Sequence, residues 1–113
     1  DRYKLEREHL LNDADFARQW VEARSGRKLG RSRIAQELRR KGIDADEAEE
    51  ALSAIGEDAQ LADAIALAEK TAARAKSDED PRKTYQRIAA MLARRGFRWD
   101  ITKEALAQVL QAD

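Results

Sequence analysis

Three kinds of residue in this sequence invite a chemical reading: a lone histidine, carboxylates at helical spacing, and long runs of cations. His9 is the only histidine, so no histidine pair can ligate a metal and no imidazole relay can form within the chain. It lies in the charged stretch DRYKLEREHLL (1–11), which predicts a surface position. Asp46 and Glu50 stand four residues apart, on one side of a helix if one forms. On a polar helix such a pair is solvated charge far more often than an acid–base couple. Gly26 and Gly30, in SGRKLGRS, do not have the spacing of a phosphate-cradling loop. There is no cysteine, which excludes disulfides and thiolate metal sites. No catalytic residue, metal ligand or cofactor is assigned, and the chain is read as a non-enzyme.

The cations are more informative. The 22 basic and 22 acidic residues cancel, yet they are segregated. From Arg24 to Lys41 the charges are basic with a single acid, Glu37; from Asp44 to Asp58 all are acidic; from Arg82 to Arg98 all are basic again. The candidate partner-binding residues are Arg27, Lys28, Arg31, Arg39, Arg40 and Lys41 in the first run, and Arg82, Lys83, Arg87, Arg94 and Arg95 in the second. A repeated basic stripe can follow a phosphate backbone or an acidic groove in a protein filament. The plainer alternative is a solvated face paired with the acidic helix beside it, each exposed pair contributing about 0–1 kcal/mol.

Positioning these runs falls to a repeat. Ile34 to Leu52 (IAQELRRKGIDADEAEEAL) recurs 54 positions later at Ile88 to Leu106 (IAAMLARRGFRWDITKEAL), with nine of 19 positions identical. A fixed period of this kind marks stacked copies of one supersecondary unit. In each copy an apolar helix face leads to a basic end, then to a glycine (Gly42, Gly96) suited to the left-handed helix stop, then to a second amphipathic helix. Asp44 and Glu47 fit a capping-box variant at the second helix. Arg98, the counterpart of Asp44, is a weak cap.

The spacing predicts helices over Asn12 or Asp13 to Ser25, Arg31 to Lys41, Asp44 to Ile55, Asp58 to Lys76, Pro81 to Arg95 and Trp99 to Gln111, with Asp80–Pro81 as a helix start. Expected inner faces are Phe16, Ala17, Trp20 and Val21; Ala48, Ala51, Leu52 and Ile55; Leu61, Ile65, Ala68 and Ala72; and Ile88, Leu92, Ile101, Ala105, Leu106 and Val109. Trp20 and Trp99 are read as packing anchors, and Tyr85 as core or rim. No strand-like alternation occurs. The fold class is therefore all-α: tandem three-helix repeats in an elongated, right-angled helical array. Residues 1–11 are read as the last helix of a preceding repeat, 12–56 as one unit and 57–113 as the next. The chain begins mid-pattern at Asp1, as a fragment would, and no signal peptide is visible there. With Leu5, Leu10 and Leu11 left uncovered, self-association or fraying is expected at this end. No apolar run approaches the roughly 18 residues that span a bilayer, and the lack of cysteine fits a reducing, cytoplasmic setting.

LNDADFARQWVEAR, GRSRIAQELRRKGID and DEDPRKTYQRIAAMLARRGFRWD together resemble the RecX regulatory proteins, over nearly the whole chain. The resemblance implies tandem three-helix repeats and a regulator that binds the RecA recombinase filament and restrains it. It also implies a third unit, here reduced to residues 1–11. The competing reading is a helix–turn–helix DNA module. Its groove-entering helix would carry Asp46, Glu47, Glu49 and Glu50 without a cation in the first unit. In the second, Asp100 and Glu104 oppose Thr102, Lys103 and Gln108. This argues against base reading and leaves weak, non-specific phosphate contact through the basic helices as the alternative.

Overall fold

The computed structural model describes the backbone of residues 2–111 and the side chains of residues 12–111. It contains α1 (Arg2–Ser25), α2 (Arg31–Arg40), α3 (Ala45–Leu52), α4 (Glu57–Ala73), α5 (Pro81–Arg94) and α6 (Trp99–Leu110), with no strand among the described residues. The all-α reading holds. The expectations for the side chains of His9, Leu5, Leu10 and Leu11 lie outside the described residues.

Several helix ends differ from expectation for local reasons. Asn12 and Asp13 do not open a helix; α1 runs through them unbroken, since no glycine or proline interrupts the stretch and alanines at 14 and 17 sustain it. Asp44 occupies the N-cap of α3 but makes no side-chain cap bond, so the capping box does not form. Asp46 and Glu47 still favour that end through the helix dipole. Gly56, not Asp58, is the N-cap of α4. At α5 the expected start is present: Asp80 Oδ1 accepts from the Arg82 N–H at 2.9 Å, with Pro81 in the first helical position.

Each helical triplet buries its own core. Around α1, α2 and α3 it comprises Ala17, Val21, Leu29, Ile34, Leu38, Ile43, Ala48, Ala51, Leu52 and Ile55. Around α4, α5 and α6 it comprises Ala64, Ala68, Ile88, Leu92, Phe97, Ala105 and Leu106. The inner face of α4 is centred on Gln60, Ala64 and Ala68, with Leu61, Ile65 and Ala72 only half-buried. Ala64 and Ala68 share this core with Ala105 of α6, against which α4 packs. Phe16, expected inside, is 39% exposed, and Trp99 is 58% exposed, so Trp99 does not anchor packing. Tyr85 sits at the rim, half-buried. The principal extents, 68 × 21 × 18 Å, describe an elongated body.

The two triplets join through backbone. The first N–H groups of a helix have no partner within it. At the start of α2 they find partners in the other triplet: Gly30 N–H donates to Arg95 O (2.7 Å), Ser32 N–H to Gly96 O (3.1 Å) and Arg31 N–H to Gln60 Oε1 (3.0 Å). The positive end of the α2 dipole thus meets the negative end of α5. The basic helices are linked end to end at this joint, rather than side by side as simple stacking would have them. The approach leaves no room for side chains. A Cβ on Gly30 would come within 2.2 Å of Gly96 C, and one on Gly96 within 2.3 Å of Arg33 Cβ. Gly96 and its counterpart Gly42 both take the left-handed conformation (φ +94° and +83°), as the repeat predicts.

Candidate partner-binding surface

The basic residues fall into groups set by the helix ends. Arg39 and Arg40 occupy the last turn of α2 and Lys41 its C-cap, where cations complement the carbonyl end of the helix. All three are exposed. Lys41 lies over an aromatic pair: its Nζ is 4.4 Å from the Trp20 ring centre and 5.8 Å from that of Phe16, and the two rings stack at 5.8 Å. A cation so placed is held by the ring quadrupoles without being neutralised.

A second group gathers at the joint. Arg94 and Arg95 end α5, with their carbonyls turned to α2. Arg31 and Arg33 begin α2, and Arg98 sits at the N-cap of α6 without a side-chain cap bond. The ten residues of α2 set this group about 15 Å from Arg39–Lys41. No ion pair among the described residues holds Arg31, Arg39, Arg40, Lys41, Arg94 or Arg95.

Other cations are committed internally. Glu37 collects three groups from α1 and α2: Arg24 donates through Nε (2.9 Å) and a terminal nitrogen (2.7 Å), Trp20 Nε1 donates at 3.1 Å, and Arg33 Nε lies 3.6 Å away. The Arg24 hydrogen bonds hold the Glu37 carboxyl below the usual carboxylate range, against the opposing effect of burial. They raise the Arg24 guanidinium in turn. In the second triplet Arg87 is bound to Glu79, which also accepts from Thr84 Oγ1 at 2.6 Å; these hydrogen bonds, Arg87 first, lower the Glu79 carboxyl. Arg87 is therefore paired within the chain, although its side chain stays exposed. Arg82 and Lys83 are exposed at the start of α5, roughly 20 Å of helix from Arg94, with Arg82 loosely paired to Asp80 at 3.9 Å. Arg27 and Lys28 are exposed in the turn after α1, where Lys28 takes a positive φ of 59°.

Comparison with known proteins places this arrangement. A family model described as the second three-helix domain of RecX matches residues 12–52, and one described as the third matches residues 58–106. The chain belongs to the RecX family. A regulatory protein RecX of Clostridioides difficile is 37% identical over 106 residues, covering 93% of this chain and 50% of that protein. One of Mycobacteroides abscessus is 40% identical over 105 residues, covering 87% and 50%. The crystal structure of RecX from Lactobacillus salivarius superposes with a TM-score of 0.83 at 30% identity, covering 97% of this chain and 71% of that one. The chain thus spans about half the length of these curated relatives.

Some residues that the structure sets beside these cations or at the joint were not legible in the sequence alone. Arg98 reads as a poor cap, although its reversal of charge against Asp44 was a signal. Phe16 at the surface, under Lys41, was hidden by an apolar spacing that suits a core equally well. Nothing in the local pattern marks Gln60 as the side chain that seats the joint. No helix of the described residues is long and apolar enough to cross a membrane.

Proposed function

We propose that this RecX-family chain is a non-enzymatic regulator. It docks on a RecA-type recombinase filament in the cytoplasm and inhibits or modulates that filament's strand exchange and ATPase activity. The observation that carries the reading is the set of cations with no ion pair among the described residues at the two ends of α2, Arg39, Arg40 and Lys41 at one end and Arg31, Arg94 and Arg95 at the other, on an elongated body. A helical filament presents the same surface at fixed intervals, and an elongated body with cations at fixed spacing suits such a surface better than a compact one. Units spanning 12–56 and 57–113 each bring one basic helix to this surface. Arg27, Lys28, Arg82 and Lys83 flank it, and Arg87 contributes less because Glu79 holds it.

The direct test adds the chain to a RecA recombinase hydrolysing ATP on single-stranded DNA. A dose-dependent fall in ATPase rate supports the proposal, and an unchanged rate at saturating chain contradicts it. One observation favours a second reading, weak DNA contact: the exposed Phe16 ring stacked on Trp20 beside Lys41 combines an aromatic face with a cation, as single-strand binding surfaces do. Titration of labelled DNA without recombinase, at several salt concentrations, separates the two. Saturable binding whose affinity falls steeply with salt supports the second reading.

A further inference from the structure

A cleft of about 330 Å³ opens between α2 and α3, beside the joint between the triplets. One wall is a single stripe of α2, Arg31, Ala35 and Arg39, at i, i+4 and i+8. The floor includes the buried side chains of Ile43 and Leu52, and Arg98 reaches in from the N-cap of α6. Glu49 is the one acid on its lining, so cations prevail three to one. Arg98 lies 3.5 Å from Asp100 in an exposed pair, which costs little to break. Arg31 and Arg39 have no carboxylate partner among the described residues.

We infer that this cleft seats an extended acidic segment of a protein partner, with one apolar side chain between two carboxylates. The choice of a protein partner rests on the regulatory reading above. The spacing supplies the rest. Eight residues of helix place the two α2 arginines about 12 Å apart. An extended chain covers about 13 Å in four residues and turns alternate side chains to one face. Carboxylates at the first and fifth positions reach Arg31 and Arg39, while the third side chain lies over Ala35 and the apolar floor. A phosphate backbone offers the charge but nothing to bury on that floor, so the apolar lining favours protein over nucleic acid. Arg98 faces the segment from the other triplet, so the site is complete only while the joint is intact.

The test uses nuclear magnetic resonance titration of the labelled chain at low salt. Three probes are compared: a capped Asp-Ser-Leu-Ser-Asp peptide, its Asp-Ser-Ser-Ser-Asp counterpart and a short oligothymidylate. The expected result is saturable movement of the Ala45, Ala48 and Glu49 amides with the leucine peptide, and about tenfold weaker binding of the serine peptide. Ala45→Phe fills the cleft mouth without altering charge, and Arg98→Glu reverses one cation; both should lose leucine-peptide binding. Ala45 is exposed at the first position of α3 and Arg98 is exposed at its cap, so helicity should survive both. Equal affinity for the two peptides, movement of other amides, or the oligothymidylate binding best at these amides would overturn the inference. Peptide failure alongside intact filament inhibition sinks the cleft alone. Peptide binding without filament inhibition sinks the recombinase reading alone.

Discussion

At the residue scale, Glu37 is the side chain on which the first triplet's charge order turns. It is the only acid in a basic run, and it takes up Arg24, Trp20 and Arg33 together. This leaves the cations at the far end of α2 without a carboxylate. Because its folded-state pKa is lowered, its contribution to stability is fully present above the ordinary glutamate range. That contribution is lost as pH falls through the folded value. Glu37→Gln should cost about 1–2 kcal/mol near neutral pH, and the gap to the parent chain should close as pH falls below the ordinary glutamate range. Thermal melts across that range check the sign; a gap that does not change with pH would contradict it. The sequence exposed half of this arrangement. A lone acid among cations is visible in the string, and so is Arg33 four residues before it on the same helix, but its partners at positions 20 and 24 depend on α1 lying across α2. For the same reason Phe16 reads as core: its spacing with Ala17, Trp20 and Val21 defines a stripe, and only the width of the neighbouring helix decides which edge stays wet.

At the scale of elements, the repeated glycines do different work in the two triplets. Both end a basic helix with positive φ, so either substitution by alanine carries the left-handed strain of about 1–2 kcal/mol. Around Gly42 there is open space, whereas a Cβ at Gly96 would strike Arg33 of the other triplet. Gly96→Ala should therefore cost clearly more than Gly42→Ala, and should separate the unfolding of the two triplets into two transitions, since each has its own core. Urea unfolding followed by Trp20 and Trp99 fluorescence measures both. Equal costs and one shared transition would contradict the importance of the joint. The repeat itself was plain in the sequence, as were the glycine stops and the proline-led start of α5. The joint was not, because it is made by backbone groups of Gly30, Arg31, Ser32, Arg95 and Gly96 and by one side chain, Gln60, and no pattern marks any of them as a contact. Nor was the unbroken α1, since Asn12 and Asp13 mark a helix start only where the chain must turn.

For the whole molecule, length and charge act together. The end-to-end link of α5 to α2 sets cation groups at intervals along a body 68 Å long, and the two cores keep those intervals fixed. Membership of the RecX family was legible in three stretches of sequence, which carry the glycine stops and the loop spacing of the repeat. The placement of the cations relative to one another was not, because it depends on how the triplets meet. If the surface works as a unit, reversing its charge should remove regulation without disturbing the fold: exposed side chains at helix ends contribute little to folding, whereas like charges facing an acidic partner repel it.

The decisive measurement is strand exchange by a RecA recombinase in the presence of the chain carrying Arg39→Glu, Arg40→Glu, Arg94→Glu and Arg95→Glu, with helicity followed by circular dichroism. The parent chain is expected to inhibit and the variant to lose inhibition at unchanged helicity. Inhibition by the variant equal to that of the parent would contradict the basic surface as the means of regulation.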